Sequence, residues 1–129
     1  MRAIDTNVVV RFLVGDDKRQ AARARAAIEA GDIFVATTVL LESEWVLRSG
    51  YGFAPVQIAG ALRGFAGLPG VAVEEPALLA EALHRLAEGM DFADALHLGG
   101  AEHCTAFLTF DRGLVKAAAG RSVVMVEEP

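Results

Sequence analysis

Five carboxylates stand where a short polar step interrupts apolar chain: Asp5 in "MRAIDTNVVV", Glu42 in "TTVLLESEW", Asp91 and Asp94 in "DFADALHL", and Asp111 in "TAFLTFDRGL". Gathered in one place, such side chains would repel one another strongly. Two unit charges about 4 Å apart cost roughly 4 kcal/mol at an effective dielectric of 20, so four clustered carboxylates would offset much of a domain's 5 to 15 kcal/mol of stability. A hard divalent cation is the simplest counter-charge, and oxygen-only ligands favour Mg2+ or Mn2+. Arg112, beside Asp111, is the one base next to these acids in sequence. A simpler role exists for each of them, because aspartate also caps helices and favours their first turn.

Whether these acids meet depends on the elements that carry them. "MRAI", "DIFVA", "VAVEE", "TAFLTF" and "SVVMVEE" are predicted strands. Between them, "NVVVRFLVG", "DKRQAARARAAIEAG", "TTVLLESEWVLRSGYG", "PVQIAGALRGFAGLPG", "PALLAEALHRLAEG", "DFADALHLGGAEH" and "DRGLVKAAAG" are predicted helices with glycine stops and proline or Thr starts. The alternation predicts an α/β fold with a parallel sheet covered on both faces. In such a sheet the carboxyl ends of all strands share one edge, so acids that follow different strands can converge there. Asp5, Asp111 and, within the helix after the second strand, Glu42 hold equivalent positions.

Asp91 and Asp94 are three apart and share a helix face. Asp94 lies next to apolar Ala95 and Leu96, and facing inward there it requires a partner. Glu42 and Glu44 point to different sides of their helix, and the stripe of Val39, Leu41, Trp45 and Val46 assigns Glu42 to the cluster and Glu44 to solvent.

At 129 residues and 53% hydrophobic, the chain is expected to form one domain over residues 1–129. No apolar run is long enough to cross a membrane and no signal-peptide pattern opens the chain, so a cytoplasmic protein is expected. A net charge of −5 has the wrong sign for coating nucleic acid by bulk attraction, so any such contact would be local. The single Cys104 forms no intramolecular disulfide and is expected to pack at the start of a strand.

The segments "AIDTNVVVRFL", "TTVLLESEWVLRSGYG", "DFADALHL" and "LTFDRGL", in that order and spacing over essentially the whole chain, resemble the PIN domain and, within it, the VapC toxins of bacterial toxin–antitoxin pairs. The resemblance implies a three-layer domain with a central parallel sheet of about five short strands flanked by helices. It implies Mg2+- or Mn2+-dependent endonucleolytic cleavage of RNA, with Asp5, Glu42, Asp94 and Asp111 as the acidic positions that hold the metal and carry catalysis. Thr6, Asn7 and Thr109 flank and orient them, and Asp91 is a possible additional acid. A homodimer and a VapB-type antitoxin are the implied partners. Gly99-Gly100 departs from the family pattern, where alanines usually follow, and is expected to loosen or kink that helix. A carboxylate-held metal suits the chemistry, since it acidifies a bound water and neutralises charge on a phosphodiester transition state.

The remaining features take ordinary roles. His84, His97 and His103 form no metal-binding spacing, although His97 follows Asp94 by three residues and could approach the same mouth. The aromatic residues are expected in the core or an interface, and the Gly64, Gly67 and Gly70 series in a flexible turn. Lys18, Arg19, Arg23 and Arg25 form a basic helix face; if RNA binds, Arg19, Arg23, Arg48, Arg112 and Lys116 are the candidate phosphate contacts. A haloacid dehalogenase-type phosphatase would want an acid where Asn7 stands, and a receiver-type module an acidic pair after the first strand. The alternative that survives is an inactive PIN-like module that binds metal, RNA or a partner.

Overall fold

The computed structural model describes residues 1–129. In chain order the elements are β1 (Arg2–Ala3), α1 (Thr6–Val14), α2 (Lys18–Glu29), β2 (Ile33–Val35), α3 (Thr37–Trp45) continued by a π-helical turn (Val46–Gly50), α4 (Pro55–Ala66), β3 (Val71–Val73), α5 (Pro76–Ala87), α6 (Phe92–Gly100), β4 (Ala106–Leu108), α7 (Arg112–Ala118) and β5 (Met125–Glu127). The fold is α/β, with every strand pair parallel.

β2 lies between β1 and β3, with Arg2 opposite Ile33 and Ile33 opposite Val71. β4 pairs with β5, Phe107 opposite Val126. These are two separate ladders: β1 and β4 share no hydrogen bonds, so the five strands are divided three and two. β1 is only two residues long and serves as a partner for β2 alone. The core is divided in the same way. Val9, Ile33, Val35, Leu40, Leu62, Phe65, Leu83 and Phe92 belong to the main cluster, whereas Leu98, Leu114, Ala118 and Val124 form a second one that joins α6 and α7 to the approach to β5.

The helix starts follow local rules with one exception. Asp5, Asp17, Asp91 and Asp111 each cap a helix through a carboxylate oxygen, and Pro55 and Pro76 open α4 and α5. The expected threonine cap of α3 is absent. Ala36 holds the cap position, and the N–H of Thr37 donates to Glu74 Oε1 at 3.0 Å, so a side chain just after β3 starts the helix that follows β2.

Two glycine expectations are corrected. Gly64 lies inside α4 rather than in a turn, and α6 runs unbroken through Gly99 and Gly100. A Cβ on Gly99 would come within 2.5 Å of Leu78 Cδ1, so the glycine lets α5 and α6 approach closely. Cys104 is exposed in the connection before β4, not packed at a strand start.

Candidate active site

Asp5, Asp91 and Asp111 each have a backbone task that leaves part of the carboxylate uncommitted. Asp5 Oδ1 accepts from the N–H of Thr6 at 2.8 Å, and Asp111 Oδ1 accepts from the N–H of Leu114 at 3.1 Å. Asp91 Oδ2 accepts from the N–H of Asp94 at 3.1 Å. The capping role and a ligand role are therefore compatible, since one oxygen of each acid remains. Asparagine caps a helix about as well as aspartate, so Asp5→Asn is expected to unfold in urea at nearly the wild-type midpoint. Asp5→Ala should cost about 1 kcal/mol.

The structure brings the sequence candidates together in two groups. On one side, Thr6 is buried and its hydroxyl donates to Glu42 Oε1, which ties the residue after Asp5 to α3. Asp5, Thr6, Asn7 and Glu42 line a hollow of about 400 Å³ with Val10, Arg11, Val46 and Tyr51. On the other side, Asp94 sits within electrostatic reach of Asp91, Asp111 and His97. Burial, then the charges of Asp91 and Asp111, hold its carboxyl above the usual aspartate value, and His97 opposes them. Glu42 and Asp91 connect the two sides, because both line a second hollow of about 330 Å³ with Glu44, Trp45 and Arg48. Thr109 Oγ1 accepts from the N–H of Asp111 at 3.0 Å and so fixes the turn that presents it.

The division between Glu42 and Glu44 differs from the expectation. Glu42 is exposed beside Thr6, but Glu44 is buried, 2% exposed, rather than solvent-facing. The buried stripe of α3 and its π-helical continuation is Leu40, Ser43, Glu44 and Leu47, and Trp45 is 56% exposed. Arg48, four residues on, makes this possible: its Nε donates to Glu44 Oε2 at 2.8 Å. That interaction raises the Arg48 pKa, and Asp91 adds to the effect. Arg48 thus lies near the acids, a counter-charge invisible from sequence neighbours. The Ser43 hydroxyl donates to the carbonyl of Val39 at 2.7 Å, which removes its own burial cost.

The other basic candidates are dispersed. Arg112 pairs with Glu128 at 3.2 Å, and Arg19 and Lys116 are exposed on α2 and α7. Arg23 lines a further hollow with Asn7 and Arg11. Arg11 itself was absent from the sequence candidates. It is anchored by Gln20 Oε1 at 2.7 Å, the Tyr51 hydroxyl at 3.3 Å and Asp16 at 3.6 Å. A basic residue one helical turn beyond Asn7 was the available signal.

No three of the acids, histidines and cysteine lie close enough to form a protein-only metal cage. The donor chemistry still fits Mg2+ or Mn2+. These ions take carboxylate oxygens, and Mg2+ is ordinarily held through one or two carboxylates together with its own waters and substrate phosphate. Asp94, held above its usual value by its own burial and by the charges of Asp91 and Asp111, is the group a cation would relieve.

Acids at the ends of parallel strands and in the helices that follow them, with Asp5, Glu42 and Asp91 lining adjoining hollows, define an α/β domain with a carboxylate-lined site. The PIN domain family model matches residues 3–120, and the chain belongs to the PIN domain family. PIN domains are nuclease-type folds that generally depend on a divalent metal. Comparison with curated proteins and with solved structures gives no match. No helix is long and apolar enough to cross a membrane.

Proposed function

We propose that the chain is a Mg2+- or Mn2+-dependent endoribonuclease of the VapC toxin type. The reading is carried by membership of a family of nuclease-type folds, with Asp5 and Glu42 lining one hollow and Asp94 within electrostatic reach of Asp91 and Asp111. On this reading one or two of Asp5, Glu42, Asp94 and Asp111 would hold the ion, with its own waters and substrate phosphate completing its shell. When bound, it supplies an acidified water and positive charge at the scissile phosphate.

The protein's own groups do the rest. Thr6 holds Glu42 in place through its hydroxyl. Asp5, Asp91 and Asp111 each keep one oxygen free of their caps. Thr109 holds the backbone that carries Asp111. Arg112 and Lys116, exposed on the helix that Asp111 caps, would meet RNA phosphate, Arg112 exchanging its contact with Glu128. On this reading the toxin acts in the cytoplasm as a homodimer, and a VapB-type antitoxin restrains it by laying a segment across the acids, an arginine being the natural group to meet them.

Inducible expression in a bacterium tests the proposal. Growth arrest accompanied by new, discrete RNA ends is expected, and Asp94→Asn should abolish both. A folded wild-type protein that causes neither would favour the inactive binding module instead.

A further inference from the structure

Three hollows on the face that carries the acids share lining residues. The hollow with Trp45, Arg48 and Asp91 meets the one with Asp5, Arg11 and Tyr51 at Glu42. The latter meets a third, of about 310 Å³ and lined by Gln20 and Arg23, at Asn7 and Arg11. They form one path in which Asp5 and Glu42 lie along the middle hollow, Arg11 and Arg23 lie towards one end, and Arg48, paired with Glu44 and sharing its hollow with Asp91, lies at the other. A cationic end beside a carboxylate centre, with an exposed aromatic ring at the other end, fits an unpaired polyanion held by its phosphate at one end and by a base at the other, even though the whole chain is acidic.

We infer that this path is the track of a single-stranded RNA, in which Arg11 grips phosphate on one side of the acids and Trp45 stacks on a base on the other. The inference rests on the nuclease reading above and names residues that reading does not contain. Arg11 is suited to phosphate because its guanidinium is already oriented. Its Nε donates to Gln20 and its Nη1 to Tyr51, whose hydroxyl donates in turn to Asp16 at 2.8 Å, leaving Nη2 uncommitted. A prepaid orientation lowers the ordering cost of binding. Trp45 is a large apolar ring, 56% exposed, one helical turn beyond Glu42 and in the same hollow as Arg48. Burial in the core does not explain it, and an exposed ring beside a guanidinium is the arrangement that holds unpaired bases without reading their sequence.

The two contacts have different physical signatures, which makes them separable. Binding of a 5′-fluorescein-labelled oligouridylate of about 12 nucleotides, a length within the usual range for such tracks, is followed by anisotropy across a salt series. The Asp94→Asn protein is used as parent so that the probe stays intact. Trp45→Ala is expected to weaken binding about tenfold at every salt concentration, with Trp45→Phe retaining most of the affinity. Arg11→Gln should reduce the slope of log K against log salt by about 0.7, with Arg11→Lys preserving it and Arg63→Ala, outside the path, leaving it unchanged. Circular dichroism establishes that each variant is folded.

Unchanged affinity and slope in Trp45→Ala and Arg11→Gln would overturn the track. So would a loss of self-association by sedimentation with RNA affinity intact, which would make this face a protein contact. Cleavage by the Asp94-containing protein is measured alongside. The expected anisotropy pattern without any cleavage would support the track and sink the nuclease reading, whereas cleavage with a flat anisotropy series would do the reverse.

Discussion

Asp94→Asn is expected to melt at a higher temperature than wild type at pH 7 without metal, and to lose at least about 100-fold of RNA cleavage with metal. The stability half follows from the cause of the Asp94 displacement. Burial disfavours the carboxylate, Asp91 and Asp111 disfavour it further, and His97 only partly opposes them. A carboxylate in a helix's first turn gains about 0.3 to 1 kcal/mol from the dipole, yet the net displacement is upward, so burial and like charge win. The folded protein therefore binds this proton more tightly than the unfolded chain does. Wild-type stability falls as pH rises from the unfolded value, 3.8, through the higher folded value. The asparagine variant escapes that loss. Its advantage should be complete above the folded value and vanish below 3.8. Calorimetric melts from pH 3 to pH 8 check the sign; an advantage that grows on acidification would contradict it. Added Mn2+ should reverse the order, because a cation held at 100 times its Kd stabilises the wild type by about 2.7 kcal/mol and the variant hardly at all.

The largest purely structural effect is expected at Gly70. Its φ of +80° is a conformation that side chains resist, and a Cβ there would lie 2.8 Å from the Cα of Gly31. The carbonyl of Gly70 also accepts from the N–H of Ile33 at 2.8 Å, the bond that leads into the β2–β3 ladder. Alanine must therefore strain the backbone or push the Gly31 turn away, and pushing it weakens the start of the central ladder. Gly70→Ala should cost about 2 to 4 kcal/mol, roughly 10 °C in Tm for a domain of this size. Gly64→Ala, in α4 with open space around its Cβ, should be neutral or stabilising by up to about 1 kcal/mol. Equal melting of the two variants would show that the close approach of Gly70 and Gly31 does not limit stability.

Much of this architecture was legible because strand ends are marked in the chain. "MRAI" then Asp5, and "TAFLTF" then Asp111, set an apolar run against an acid. The structure turns both into short strands followed by capped helices. The parallel order followed from the alternation of elements. What remained hidden depends on contacts that periodicity does not encode. Glu44 looked solvent-facing because it is charged; Arg48, four residues along a π-helical continuation, supplies the partner that lets it be buried. The same phase error placed Trp45 on the apolar stripe when it is exposed. The cap of α3 comes from Glu74, 37 residues away. Gly99 suggested a weakened helix because its contact with Leu78 lies on another element. The orientation of Arg11 is set by Asp16, Gln20 and Tyr51 together, contacts that its local sequence does not encode.

Metal-dependent catalysis by the acids is tested most directly by cleavage of a purified cellular RNA pool by folded protein freed of any partner, with Mg2+, with Mn2+ and with EDTA, beside Asp5→Asn and Asp94→Asn. Discrete fragments are expected with either metal, none with EDTA, and at least about a 100-fold loss in both variants while each remains folded. Cleavage that persists in EDTA, or that either variant retains in full, would contradict a carboxylate-held metal as the source of activity.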